Sequence, residues 1–207
     1  KSHNKGVFGS DVANSGIDVD LWRFYLLFIR PEKQDTSFGW ADFFEKVNSE
    51  FIDNVGNLIH RSLTYCHKNF ESTCPSEAYL DHHTKFINEV KALQSECEVS
   101  FEKVKMRDAL RSILAISRAG NKFFQDMEPW VKIKTDKNDV GATVKVLIHL
   151  VKDLAIMLES FMPATSEKIY GFLNLNSVKW SNIGDYEMLS EKPINQAQIL
   201  HAKLDET

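Results

Sequence analysis

Asp53, Asn57 and Arg61 stand four residues apart in a stretch of helical periodicity, so the spacing predicts a polar row on one helix face. Amide and guanidinium groups offer paired donors and acceptors, which suit the base edges that single-stranded RNA exposes. Reading unstacked bases also calls for an aromatic platform. Trp130 is the candidate: it follows Pro129 in the run EPWVKIK, with Lys132, Lys134 and Lys137 close enough in sequence to meet phosphates. The plainer readings are a solvated helix face for the row and a packing anchor for the Trp, and spacing alone does not separate them from RNA contact.

Other chemistries lack their signatures. GxSxG does not occur, and Cys66 beside His67 is adjacency in sequence with no bearing on spatial pairing. His82-His83 has no partner histidine four residues away and no HExxH frame, so it reads as part of a surface helix and no metal site is expected. Walker A and GxGxxG patterns are absent as well, so no cofactor is expected to bind these residues alone. Arg107, Arg111 and Arg118 share a helix face; they read first as surface ion pairs, with Asp108 and Glu102 available, and second as RNA contacts.

The elements that must position the row and the Trp are helical. From Trp40 to about Phe70, Phe44, Val47, Phe51, Val55 and Leu58 recur at steps of three and four, the period of a helix face turned to a core. A loop, STCPSEA, separates this from a second helical stretch, Tyr79 to Cys97. Val104, Leu110, Ile113, Leu114 and Phe124 mark a third helix that should stop near Pro129. After a break at TDKND, Val140 to Phe161 is the next, and Pro163 opens a short helix that reaches Leu173. Val19 to Arg30 is a further apolar helical run near the start. Asn174 to Thr207 is weakly periodic, has Trp180 as its one large anchor and ends in ILHAKLDE, a short amphipathic piece expected to wrap or dock. The expected fold class is all-α, an antiparallel helix bundle.

Composition narrows the function classes. The 207 residues are 43% hydrophobic and 26% charged, which is globular, and excludes collagen-like and low-complexity chains. Lys+Arg 25 against Asp+Glu 29 leaves a net charge of −4, so a nucleic acid would have to be held by a local patch. Three cysteines, Cys66, Cys74 and Cys97, form neither a disulfide framework nor a paired zinc spacing, and a reducing cytoplasm is expected. The most apolar stretch, Val144 to Met162, is broken by Lys145, His149, Lys152, Asp153 and Glu159, so no membrane partner is expected. The opening KSHNKGVFGSD has no initiating Met and no signal-peptide core, and reads as the interior of a longer protein.

Several blocks in order resemble the methionyl-tRNA synthetase family, in particular its eukaryotic cytoplasmic form. KSHNKGVFG resembles the end of the KMSKS signature, with Lys1 and Ser2 as its last two residues; WRFYLLFIRPEKQDTSFGW, NSEFIDNVGNLIHR and MRDALRSILAISRAGNKFFQDMEPW resemble the blocks that follow. The likeness runs from Lys1 to about Leu173. It implies a class I synthetase that joins methionine to its tRNA through methionyl-adenylate, using ATP and Mg²⁺. The HIGH-like motif, the nucleotide-binding fold and the zinc knuckle of that family are not in this sequence, so the chain alone is expected to be inactive. What the resemblance assigns to it is recognition of the CAU anticodon by Asn57, Arg61 and Trp130. Asp53 joins them at a position where some members have Asn and where an acid would repel phosphates.

The same resemblance implies three parts: residues 1–37, the end of the KMSKS loop and a connecting module; residues 38–173, the anticodon-binding bundle; and residues 174–207, a tail that folds back toward the catalytic domain. Methionine tRNA, through its anticodon loop and stem, and the catalytic domain of the same chain are the implied partners, with no DNA. Two rivals make different demands. An anticodon domain of an Ile, Val, Leu or Cys synthetase should lack the combined Asn57/Arg61 row and Pro129-Trp130 pair. A helical protein-interaction module should leave those residues scattered in space.

Overall fold

A computed structural model describes residues 9–32, 35–176 and 178–205. Its described residues form helices and one isolated antiparallel bridge, Thr73 with Pro193. After a short helix α1 (Gly9–Asn14), α2 (Val19–Phe28) starts where the Asp18 carboxylate accepts the Asp20 N–H at 2.9 Å. It buries Leu21, Trp22, Phe24 and Tyr25. Two polar side chains of α2 close helix ends elsewhere. Buried Asp20 accepts the Thr165 N–H at 2.7 Å in the first turn of α9 (Pro163–Phe172), and the Arg23 guanidinium donates to the Phe161 and Ser160 carbonyls just past the end of α8 (Lys137–Leu158).

The run expected from Trp40 to Phe70 is helical throughout, and its middle is not an α-helix. Helix α3 (Trp40–Lys46) passes into a π-helical segment, Val47–Gly56, and then into α4 (Asn57–Asn69). At the junction the Asn57 N–H reaches the Ile52 carbonyl, five residues back. Inside the segment Asn54 is buried and its amide donates to the Leu114 carbonyl at 3.1 Å, so a polar group crosses the helix interface with its hydrogen bond made.

Helices α5 (Asp81–Glu102) and α6 (Met106–Met127) form a hairpin in which Phe86 and Phe123 stack at 4.0 Å. Val104, expected on the core face of α6, instead lies in the connecting turn with φ of 56° and 62% exposure. The turn needs a left-handed residue there, and that geometry overrides the residue's apolar character. Helix α6 stops at Met127, and Pro129 opens a single turn, α7 (Pro129–Lys132).

Helix α8 is buried nearly all round and occupies the centre of the bundle, against α4, α5, α6, α7 and α9. Gly120 lets α6 approach: a Cβ there would lie 2.6 Å from a Leu150 methyl and 2.8 Å from a Leu58 methyl. The tail then runs back over the bundle. Trp180 packs edge-on against Phe101, the Cys74 N–H donates to the Lys192 carbonyl and the Ile194 N–H to the Ser72 carbonyl. Residues 199–205 lie along the π-helical segment without regular secondary structure, docked there as their amphipathic pattern leads one to expect.

Candidate nucleic-acid interface

Asn57 is the first residue of α4 and Arg61 lies one turn on, so α4 presents both on one face. Facing them, α6 supplies Asn121 and Phe124. The Asn57 amide donates to Asn121 Oδ1 at 3.2 Å, and Asn121 Nδ2 donates to the Asn54 carbonyl at 2.9 Å, which fixes the amide pair to the helix backbone. The Arg61 guanidinium carbon stands 4.4 Å from the centroid of the Phe124 ring. Trp130, on α7, stacks on that same ring, with centroids 5.8 Å apart and planes 27° from parallel. Tyr65, one turn beyond Arg61, meets it edge-on at 5.8 Å.

Two residues 69 positions apart are therefore joined through one ring. Trp130 is 43% exposed, so its other surface is open to a stacking partner. Among the described residues Arg61 makes no hydrogen bond and no ion pair; burial pulls its pKa down, but a guanidinium stays charged at any physiological pH. Its fork of donors is free while its position is fixed by an aromatic face.

Asp53 lies on the π-helical segment four residues before Asn57, and its carboxylate accepts a hydrogen bond from Lys203 Nζ of the tail at 2.8 Å. With Asn57, His60, Ile199 and Leu200 it borders a cleft between α4 and the tail. Of the lysines after Trp130, Lys132 lies 3.4 Å from Asp139, Lys137 is set over the Phe70 ring at 5.9 Å, and Lys134 is exposed. Arg111 pairs with Asp108 at 3.1 Å and Arg118 with Glu50 at 2.8 Å, while Arg107 donates to the Arg30 carbonyl at 3.1 Å. Lys1 and Ser2 lie outside the described residues.

The histidine pair departs from the surface-helix reading. His83 is fully buried: its Nδ1 accepts the Leu80 N–H at 3.1 Å and its Nε2 donates to Thr143 Oγ1 at 2.9 Å. His82 contacts Asp139 at 2.7 Å, which brings three metal-type ligands together. Both ring nitrogens of His83 are committed to hydrogen bonds and Lys132 adds a positive charge at Asp139, so the chemistry of the set suits helix packing and does not fit a cation. Cys66 and Cys97 are buried, and burial pushes both thiols up to about 12, far from a reactive thiolate.

Sequence reasoning missed Asn121 and Phe124. Phe124 reads as one more apolar position of α6, and only the fold shows that its ring meets a cation and an indole.

The model of the anticodon binding domain of methionyl tRNA ligase matches residues 74–204, and that of the class I tRNA synthetases of methionine type matches residues 1–63. Asn57 and Arg61 fall in the second match and Trp130 in the first. The first match continues past Leu173 through residue 204. A methionine-tRNA ligase of Borrelia duttonii is 40% identical over 99% of this chain and 28% of its own length. Another, of Korarchaeum cryptofilum, is 37% identical over 84% of this chain and 31% of its own. The chain thus spans less than a third of the length of these curated relatives. The free form of the Mycobacterium tuberculosis methionyl-tRNA synthetase has the same fold, with a TM-score of 0.83 at 21% identity over 97% of this chain and 42% of that one. With one family model covering more than half of its residues, the chain belongs to the methionyl-tRNA ligase family, as the anticodon-binding domain of that class I synthetase.

Proposed function

We propose that the patch formed by Asn57, Arg61 and Trp130 reads the CAU anticodon of methionine tRNA. The carrying observation is the meeting of Arg61 and Trp130 on one ring, with the guanidinium donors free and the indole exposed. The indole stacks on an unpaired base, and Arg61 and Asn57 hydrogen-bond base edges. A protein-interaction module without RNA binding gives no reason for these residues to converge. Asp53 stands at the margin of the patch, its charge offset by Lys203.

The complete protein would ligate methionine to this tRNA through methionyl-adenylate, with ATP and Mg²⁺ held by a catalytic domain that also carries the zinc knuckle. Lys1 and Ser2 would close its KMSKS loop on the triphosphate side. Residues 1–37 would connect that domain to the bundle of residues 38–173, with 174–207 as the tail, and the cytoplasm would be its place of work. The test is a titration of the full-length protein with methionine tRNA and with the same tRNA carrying a substituted anticodon. Arg61→Ala should weaken binding and relax discrimination at one anticodon base. Arg61→Ala and Trp130→Ala proteins that keep native circular dichroism and still select CAU as well as the parent would overturn the assignment.

A further inference from the structure

We infer that Phe124 is the positioning residue of the anticodon patch, the part that holds Arg61 and Trp130 in one geometry before RNA arrives; this rests on the reading of that patch given above. Arginines in proteins are ordinarily oriented by carboxylates, and a carboxylate partner uses the very N–H groups that a base edge needs. Arg61 has no such partner among the described residues. What it has is the Phe124 ring at 4.4 Å, whose negative π-face attracts the cation without a carboxylate, and the N–H donors of Arg61 make no hydrogen bond among the described residues. The ring that does this is closely packed: it is 4% exposed, flanked edge-on by Tyr65, on a 22-residue helix packed against α8. The same ring supports Trp130 from beneath, on a four-residue turn that has little rigidity of its own.

The arrangement lowers the ordering cost of recognition. A free arginine carries large rotamer entropy, and a stacked one has already lost much of it when the ligand binds. Phe124 touches no base in this scheme and acts only through its two neighbours.

The test uses the full-length protein and compares Phe124→Leu, which keeps an apolar side chain and removes the π-face, with Arg61→Ala and the combined variant. Phe124→Leu should reduce the preference for cognate over anticodon-substituted tRNA by about two- to thirty-fold, the range of a cation–π contact. It should raise KM for tRNA more than it lowers kcat. The combined variant should discriminate at the Arg61-dependent base no worse than Arg61→Ala. A folded Phe124→Leu protein with full selectivity, while Arg61→Ala loses it, overturns the role of Phe124 alone; Arg61→Ala with full selectivity overturns the patch itself. A measurement on the unsubstituted protein stands apart from any folding defect. Ring current from Phe124 should move the Arg61 side-chain protons upfield, and ordinary arginine shifts there would refute the contact.

Discussion

Asn48 and Leu204 are joined twice: the Asn48 amide donates to the Leu204 carbonyl, and the Leu204 N–H donates to Asn48 Oδ1, both at 2.9 Å. A side chain that satisfies both backbone groups of one residue mimics a strand partner, which explains how the last described residues stay seated without a helix. Asn48→Ala removes both bonds from a half-buried position and should cost about 1–3 kcal/mol, confined to the tail. Lys203→Ala removes only an exposed pair with Asp53 and should cost far less. Hydrogen exchange at the Leu204 amide distinguishes them: fast exchange in Asn48→Ala and near-parental exchange in Lys203→Ala is the expected pattern.

Stacking and charge attraction separate at α7. Trp130→Ala should remove about 1–3 kcal/mol of base stacking, roughly five- to 150-fold in tRNA affinity, with the bundle intact because the ring is largely outside the core. Lys134→Ala, at an exposed cation, should weaken cognate and non-cognate tRNAs alike and flatten the salt dependence. Lys132→Ala should do the same and also loosen the Asp139 cluster that Lys132 abuts. Titrations at several salt concentrations check all three.

The helices were legible in the sequence because apolar residues recur at steps of three and four and prolines mark ends: α6 stops just before Pro129, and Pro163 opens α9. Asn57, Arg61 and Trp130 were legible as residue types suited to bases, and the first two as neighbours on one face. The π-helical register was not, because it is set by packing across the interface, where Asn54 reaches the Leu114 carbonyl, and no local propensity encodes it. Asp53 is legible as a neighbour of Asn57, whereas its ion pair with Lys203 of the tail is not. Phe124 escaped notice because burial and support of a site ask for the same residue type. The tail was legible as a segment that wraps or docks, with Trp180 as its anchor, but its path was not, because its attachments are single contacts that leave no period to read.

Acid should destabilise the bundle before its carboxylates titrate. His83 and His149 are buried, and both are pushed down from 6.5 to about 4, burial being the main cause. His149 is held neutral by two bonds, its Nδ1 donating to the Lys145 carbonyl at 2.8 Å and its Nε2 accepting the Leu189 N–H at 2.9 Å. Below pH 6.5 the unfolded chain takes up protons that the folded one refuses until about pH 4. Their contribution is therefore complete above 6.5 and shrinks as pH falls, by about 1.4 kcal/mol per pH unit for each histidine. Urea unfolding between pH 7.5 and 5 should show this slope, and His149→Gln, at an unchanged His83, should reduce it. A flat profile over that range would contradict the neutral assignment.

Lys152 and Asp153 form a buried ion pair at the centre of the bundle. Both are fully buried with Nζ and Oδ1 3.0 Å apart, on the central helix α8. Each charge also grips the turn that brings the tail back: Lys152 donates to the Asn182 and Asp185 carbonyls at 2.5 and 2.7 Å, and Asp153 Oδ2 accepts the Gly184 N–H at 3.1 Å and the Gln94 amide at 2.7 Å. Burial pushes the Asp153 carboxyl upward, and the neighbouring ammonium works against that. Lys152→Met leaves the carboxylate uncompensated and should cost about 3–5 kcal/mol, whereas the Lys152→Met/Asp153→Asn protein, neutral at both sites and still able to accept the Gly184 and Gln94 bonds, should recover part of that loss. Urea midpoints of the two proteins decide between charge and contact. If the double variant is no more stable than Lys152→Met, the loss came from the two carbonyls of the turn left without a donor, and the ion pair itself contributes little to holding the tail.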